Sequence, residues 1–340
     1  MMPGLRAFIS GCETTRLTED EESFFRDARP CGLILFRRNC ENPEQIRALI
    51  GQFHGAVGSG DSLVLIDQEG GRVQRLWPPL WRRYPPGRFF AAIHARDPAI
   101  ALEAAHLGAR LIARDLAGLG ITVNCAPVLD LPVPGAHDII GDRAYGSSVA
   151  QVTALGRAVA EGYLEGGVLP VIKHIPGHGR ACADSHLALP VIDASRAELA
   201  QTDFQPFRAL ADMPLAMTAH VLIPAIDPER PASTSQAIIH DVIRQEIGFD
   251  GLLMCDDIGM KALSGGMDAL SRAVLQAGCD VVLHCSGKLA EMTAVASVTP
   301  KLSGDAARRF VAARARLIDP APFDEERAFA LLGEGLVETA

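Results

Sequence analysis

The residues of this chain with the most chemical capacity stand just behind short apolar runs. Asp67 follows L-V-L-I, Lys173 and His174 follow L-P-V-I, and Asp256 and Asp257 follow L-L-M-C. Asp130, His220 and His284 occupy comparable places behind other runs. Carboxylates, imidazoles and a cation gathered at one end of a set of strands can supply a nucleophile, a general acid/base and a grip on a hydroxylated ligand. The densest stretch is K-H-I-P-G-H-G-R (173–180), continued by Asp184 and His186. It places three histidines and an aspartate in a connection over 174–190, longer than the usual strand-to-helix loop and so a candidate lid or binding element. A second stretch is D-Q-E-G-G-R-V-Q-R (67–75), whose glycines permit a tight turn that lets polar groups converge on a small ligand. Surface ion pairing among Glu69, Arg72 and Arg75 is its plain structural alternative. Asp257 reads as the N-cap of the next helix, and His284 as structural. Asp130 and His220 are balanced between ligand contact and hydrogen bonds to loop backbone.

Such residues need a frame. Apolar or β-branched runs recur at 6–9, 32–36, 63–66, 122–128, 169–172, 215–217, 252–254 and 281–283. Between them lie stretches with helical periodicity at 43–53, 100–119, 149–164, 234–247, 269–277 and 289–295, and further helices are expected at 303–317 and 325–332. Alternation of this kind means parallel strands joined by crossover helices, and strands apolar along their whole length mean a sheet covered on both faces. Eight repeats predict an α/β fold of the closed (β/α)8 TIM barrel type, in which a site forms at the carboxyl ends of the strands. The open doubly wound sheet is the runner-up; it wants a glycine-rich turn after the first strand, and Ser10-Gly11-Cys12-Glu13 is not one. No Pro/Gly/Ser-rich linker divides the chain, so one domain over 1–340 is expected.

Composition narrows the partners. Hydrophobic residues make up 48 % and charged residues 21 %, enough to fill a large core. The net charge is -9, with Lys and Arg scattered along the sequence, so no phosphate-binding stripe is apparent and nucleic acid is not an expected partner. Residues 1–14 show no basic stretch followed by an apolar one, and no apolar run approaches the roughly 18 residues of a membrane span. A cytoplasmic protein with no membrane contact is the expectation. The eight cysteines contain no C-x-x-C pair and read as reduced core thiols, without the paired ligands of a zinc cluster.

The two polar stretches, together with M-C-D-D-I-G-M-K-A-L (254–263), resemble glycoside hydrolase family 3, and within it the single-domain bacterial β-N-acetylglucosaminidases of cell-wall recycling. G-L-I-L-F (32–36), A-P-V-L-D (126–130), I-G-D-R-A-Y (140–145) and M-T-A-H (217–220) extend the resemblance over most of the chain. It implies a retaining glycosidase with Asp256 as nucleophile, His186 as acid/base and Asp184 orienting the imidazole. It also implies that Asp67, Arg75, Arg143, Lys173 and His174 hold an N-acetylglucosamine ring, and that no metal or organic cofactor takes part. The implied partners are small peptidoglycan-derived saccharides, in particular N-acetylglucosamine β-1,4-linked to 1,6-anhydro-N-acetylmuramic acid with or without peptide, acted on by a monomer. The chain departs from the commoner pattern at Cys255, at Ile258-Gly259, at Ile175 and over 180–183; none of these is a reacting group. Two other classes stay open at this point. A metal-dependent barrel hydrolase would use Lys173, His174, His220 and Asp256 as ligands, and a silent sugar-binding barrel would keep Asp67, Arg143 and Lys173 without turnover.

Overall fold

Because almost every residue of the eight runs is apolar, each can be buried on both faces at once, and each becomes a parallel strand. In the computed structural model, which describes residues 4–181 and 188–336, the strands are β1 (Arg6–Ser10), β2 (Pro30–Leu35), β3 (Leu63–Ile66), β4 (Val123–Asn124), β5 (Leu169–Ile175), β6 (Leu215–Thr218), β7 (Leu252–Met254) and β8 (Val282–His284). All of their residues are buried except Arg6. Hydrogen-bonded neighbours run in the order β7-β6-β5-β4-β3-β2-β1-β8. The remaining seam, between β7 and β8, is joined by a parallel bridge from Met254 to Val281 and by the Asp280 amide donating to the Leu253 carbonyl at 2.8 Å. The sheet therefore closes on itself as a (β/α)8 barrel with its edges removed.

Helices wrap the outside: α1 (Glu19–Ala28), α2 (Pro43–Val57), α3 (Gly87–His94), α4 (Pro98–Ala117), α5 (Val149–Glu165), α6 (Arg196–Gln201), α7 (Phe204–Ala209), a wide helical segment Ile238–Glu246, then α8 (Met267–Ala277), α9 (Leu289–Val298), α10 (Gly304–Arg314) and α11 (Glu325–Leu332). Their starts follow local chemistry. Asn42 and Asp97 cap α2 and α4 with Pro at the first helical position. α11 lies on α4, where Leu332 packs beside Gly108 and Arg114 pairs with Glu325.

Two strands differ most from the sequence reading; β1, β2, β6 and β8 are shifted by only one or two residues at their ends. The run at 122–128 yields only two ladder residues, because Pro127 has no N–H to donate. Its chain still meets β5 irregularly, the Ala126 and Pro127 carbonyls accepting from Val171 and Lys173 at 3.0 and 3.1 Å. β5 in turn runs on to Ile175, so Lys173 and His174 are strand residues rather than the first of a loop. The pairing of β5 with β6 slips between Lys173 and Ile175. Both Lys173 and His174 consequently face the cavity at the barrel mouth, where strict alternation would turn one of them outward.

Candidate active site

The strands converge at their carboxyl ends on an open cavity of about 560 Å³. Six of the eight residues assigned from the sequence line it: Asp67, Arg75, Arg143, Lys173, His174 and Asp256. The other two, Asp184 and His186, lie outside the described residues. Apolar side chains, among them Ile34, Phe36, Met217, Met260 and Leu283, complete the walls.

One wall is a charge network. Asp67, immediately after β3, accepts from Lys173 Nζ at 2.9 Å through Oδ1 and from Arg75 Nη2 at 2.9 Å through Oδ2. Lys173 Nζ also meets Glu69 Oε1 at 2.6 Å, and Glu69 takes both Nε and Nη2 of Arg143 at 2.9 and 2.8 Å. Burial alone would raise the two carboxyls; Lys173 and Arg75 instead hold Asp67 well below the usual carboxylate range, and Arg143 and Lys173 hold Glu69 at about 2. Burial would lower the Lys173 ammonium, but Asp67 and Glu69 raise it above its ordinary value. All of these groups are charged at neutral pH and mutually fixed, so their unused donors and acceptors present a preset pattern to hydroxyl and amide groups.

Ion pairing among Glu69, Arg72 and Arg75 does not occur in the structure. Glu69 is buried beneath Arg143 and Lys173, Arg72 pairs with Asp138 and Asp142, and Arg75 pairs with Asp67. Glu69 is the group that the sequence reading undervalued, because its partners come from β5 and from the connection before α5.

The second wall holds imidazoles. His174 Nδ1 donates to Asp130 Oδ2 at 2.6 Å, while Asp130 Oδ1 accepts the backbone amides of His174 and His178 at 3.2 and 2.7 Å. Burial would raise Asp130, but His174 and, after it, His178 together keep the carboxyl below its ordinary value. An ionised acceptor on Nδ1 leaves His174 Nε2 as the ring nitrogen free for a ligand. Asp130 thus binds backbone and orients an imidazole at once. His178, absent from the sequence assignment, is buried in the cavity wall 5.7 Å from the His174 ring; burial and the His174 charge lower it to about 4. Gly179 brings this segment against β4's extension: a Cβ there would stand 2.0 Å from the Leu131 carbonyl oxygen.

Asp256 stands on the third side, behind β7. Its Oδ1 accepts the Asp257 amide at 2.8 Å. Burial pushes its carboxyl up, but His220, His174, that amide and Lys173 together pull it below the ordinary value, so it is an anion at neutral pH. Asp257 does something different, and not the helix capping expected of it. The next helix starts at Met267 behind Gly266, whereas Asp257 Oδ1 accepts from the amides of Gly259 and Cys285, each at 3.1 Å. It ties the loop after β7 to the loop after β8, and burial raises its carboxyl. His220 is committed at both ring nitrogens, to Ser233 Oγ at 2.7 Å and to the Asp257 carbonyl at 3.0 Å, which leaves no nitrogen for a metal. Among the described residues, no three His, Cys, Asp or Glu side chains are grouped to hold an ion. His284 is buried against Ser286 and Glu291, as a structural position requires.

An anionic carboxylate facing a fixed set of polar groups, across an open cavity of sugar size, can attack an electrophilic carbon of a hydroxylated ligand held by those groups. Comparison with known proteins shows which family the chain is similar to. The model of the glycosyl hydrolase family 3 N-terminal domain matches residues 7–319. A protein of Alkalilimnicola ehrlichii named beta-hexosaminidase is 42 % identical over 286 residues, covering 83 % of this chain and 81 % of that one. One of Aromatoleum aromaticum with the same name is 35 % identical over 311 residues, 90 % and 86 % of the two chains. Among solved structures, NagZ from Neisseria gonorrhoeae in complex with N-trifluoroacetyl-D-glucosamine superposes with a TM-score of 0.84 at 31 % identity, over 97 % of this chain and 94 % of that one. A family 3 β-N-acetylglucosaminidase from a Paenibacillus species gives 0.84 at 29 % identity over 96 % of this chain, which spans 66 % of that protein's length.

Proposed function

This chain belongs to glycosyl hydrolase family 3 and is a glycosidase of N-acetylhexosamines, and we propose that it is a retaining exo-β-N-acetylglucosaminidase acting through a covalent glycosyl-Asp256 intermediate. The observation that carries the reading is the convergence of an anionic Asp256 with the Asp67–Lys173–Glu69–Arg143 network and His174 in one cavity. Asp67, Arg75, Arg143, Lys173 and His174 hold the terminal N-acetylglucosamine by its hydroxyls and N-acetyl group, the kind of sugar bound by the Neisseria relative. Asp256 then attacks C1 from the face opposite the leaving oxygen, which departs with a proton from His186. Water, deprotonated by the now neutral His186, cleaves the ester and returns C1 to its starting configuration. Asp184 orients the His186 imidazole and favours its protonated form. An imidazole titrates near neutral pH without the burial that a carboxylic acid would need to stay protonated.

The proposed substrates are fragments bearing N-acetylglucosamine β-1,4-linked to 1,6-anhydro-N-acetylmuramic acid, with or without peptide, which makes the reaction a step in peptidoglycan recycling. No described helix is long and apolar enough to cross a membrane, and a monomer acting in the cytoplasm fits substrates of this kind. The test is proton NMR of the first sugar released from the anhydro-disaccharide. The β-anomer should appear first and mutarotate later; first appearance of the α-anomer contradicts the double displacement. Running the reaction in phosphate buffer separates hydrolysis from transfer to phosphate, which would yield N-acetylglucosamine 1-phosphate.

A further inference from the structure

Three neighbouring loops at the barrel mouth meet on one residue, Asp257. Its carbonyl takes His220, just behind β6, and its carboxylate takes the amide of Cys285, behind β8. Its own amide donates at 2.8 Å to Asp256 Oδ1, behind β7. Among the described residues no hydrogen bond reaches Asp256 Oδ2, the oxygen left over in a side chain that lines the cavity. The hold extends further back. A carbonyl only accepts, so His220 Nε2 carries the proton that reaches the Asp257 oxygen at 3.0 Å. Burial lowers the imidazole more than nearby Asp256 raises it, which favours the neutral ring. Its Nδ1 is then an acceptor, and the hydroxyl of Ser233, in the turn Ala232–Thr234, donates to it at 2.7 Å. Both side chains are fully buried. Ser233 thus fixes the tautomer of His220, and His220 fixes the Asp257 carbonyl, which the Met260 amide also meets at 3.0 Å. The Asp257 amide in turn fixes one oxygen of Asp256.

A carboxylate attacks well only when the attacking lone pair is already in line with the carbon, and a displacement of about 1 Å costs on the order of a hundredfold in rate. Pinning one carboxylate oxygen restricts the other to a short arc. We propose that Ser233 and His220 are positioning residues for the nucleophile, acting through the Asp257 main chain to keep Asp256 Oδ1 on its amide and present Oδ2 to the anomeric carbon. The inference rests on the glycosidase reading above and adds to it which oxygen reacts and what aims it. The C1–Oδ2 bond forms as the bond from C1 to the departing oxygen breaks; the electron pair leaves on that oxygen, which takes the proton of the acid. Neither Ser233 nor His220 lines the cavity, so their effect falls on the chemical step and not on sugar binding.

The experiment compares three variants with the wild type. His220→Gln keeps a side-chain N–H where Nε2 stands, His220→Leu removes it, and Ser233→Ala removes the hydroxyl that holds the ring. The substrate is 4-nitrophenyl N-acetyl-β-glucosaminide, whose departing group scarcely needs a proton. Its kcat/KM should fall about a hundredfold in His220→Leu and about fivefold in His220→Gln and Ser233→Ala, while Kd for N-acetylglucosamine by calorimetry stays the same. Equal losses in His220→Leu and His220→Gln, or a Kd that weakens in step with kcat/KM, overturn the proposal. The same hold is readable without turnover from the carbon-13 signal of the Asp256 carboxyl, assigned with Asp256→Asn. Releasing Oδ1 from the amide raises its titration midpoint, so the midpoint should lie higher in His220→Leu than in His220→Gln. His174, Lys173 and Asp257, which also act on Asp256, are common to both variants. Coincident midpoints overturn the proposal. A wild type that cleaves no N-acetylglucosaminide sinks the glycosidase reading alone, and the midpoints still decide the hold. Should His220→Leu not fold, Ser233→Ala decides against the wild type: a lower kcat/KM or a raised midpoint with Kd unchanged upholds the proposal, and no change in either overturns it.

Discussion

Glu69 lies one layer behind the cavity and yet governs two of the groups in front of it. Its Oε1 accepts from Lys173 Nζ at 2.6 Å and from Arg143 Nη2 at 2.8 Å, and its Oε2 accepts from Arg143 Nε at 2.9 Å. A glutamine there must turn an N–H₂ toward one of these donors, so Lys173 or Arg143 would swing off its line to the ligand. Glu69→Gln should therefore raise KM for an N-acetylglucosaminide on the order of tenfold to hundredfold, with a smaller loss in kcat. Glu69→Asp, which keeps the charge but cannot span both cations, should recover only part of it. A fall in melting temperature with KM unchanged would make Glu69 merely structural. At this scale the sequence was informative wherever a polar residue directly ends an apolar run, as at Asp67, Lys173 and Asp256. It was silent on Glu69, whose ion-pair partner Arg143 is 74 residues away and meets it only through the closed barrel. Asp257 misled for a related reason: its acceptors' donors, Gly259 and Cys285, belong to a loop contact that capping rules do not describe.

The turn after β3 is the element that sets the ring-holding pattern. Gly70 has φ +98, and a Cβ there would stand 2.3 Å from the Pro85 carbonyl oxygen, so the backbone of 67–75 folds back on the 84–86 segment only without a side chain. Gly70→Ala should cost about 2 to 4 kcal/mol of stability and weaken N-acetylglucosamine binding in parallel, measured by urea denaturation and calorimetric titration. Unchanged binding would show that the turn does not set the positions of Asp67, Glu69 and Arg75. Most elements were legible because apolar periodicity survives folding: β3 and β7 match residue for residue, and the helices expected from 43, 149 and 289 start there as α2, α5 and α9, whereas the short α3, α6 and α7 were not foreseen. α1 escaped because E-D-E-E-S-F-F-R-D-A has few apolar residues and its buried face, Glu21, Phe25 and Ala28, includes a carboxylate. Its readable signal was the capping box, in which Thr18 Oγ1 accepts the Glu21 amide at 3.2 Å and Glu21 Oε2 accepts the Thr18 amide at 2.9 Å. β4 was overextended because its run was read through Pro127, and β5 was cut short because Lys173 and His174 are polar although buried.

For the whole molecule, barrel closure places the site's charges in the interior of the fold, and stability becomes tied to their ionisation. Asp67 and Glu69 have carboxyls held below their ordinary values, while the unfolded chain returns them to about 4. Their contribution is fully present above that value, and it is lost as pH falls toward the folded-state value of about 2 for Glu69, because the unfolded state takes up protons first. The melting temperature should therefore drop between about pH 4 and 2, and drop less steeply in an Asp67→Asn/Glu69→Gln variant; parallel curves would contradict the linkage. The same closure brings Asp256, just behind β7, to face the groups of β3 and β5, and the proposed catalysis depends on that meeting. Its most direct test is to trap the enzyme with 2-acetamido-2-deoxy-5-fluoro-β-glucosyl fluoride, which keeps the N-acetyl group and slows ester cleavage, and to sequence the labelled peptide by mass spectrometry. One sugar on Asp256 is the expected result. A label on Asp257 or another side chain, or steady turnover of this reagent through an enzyme whose Asp256 has been changed to Ala, would contradict it.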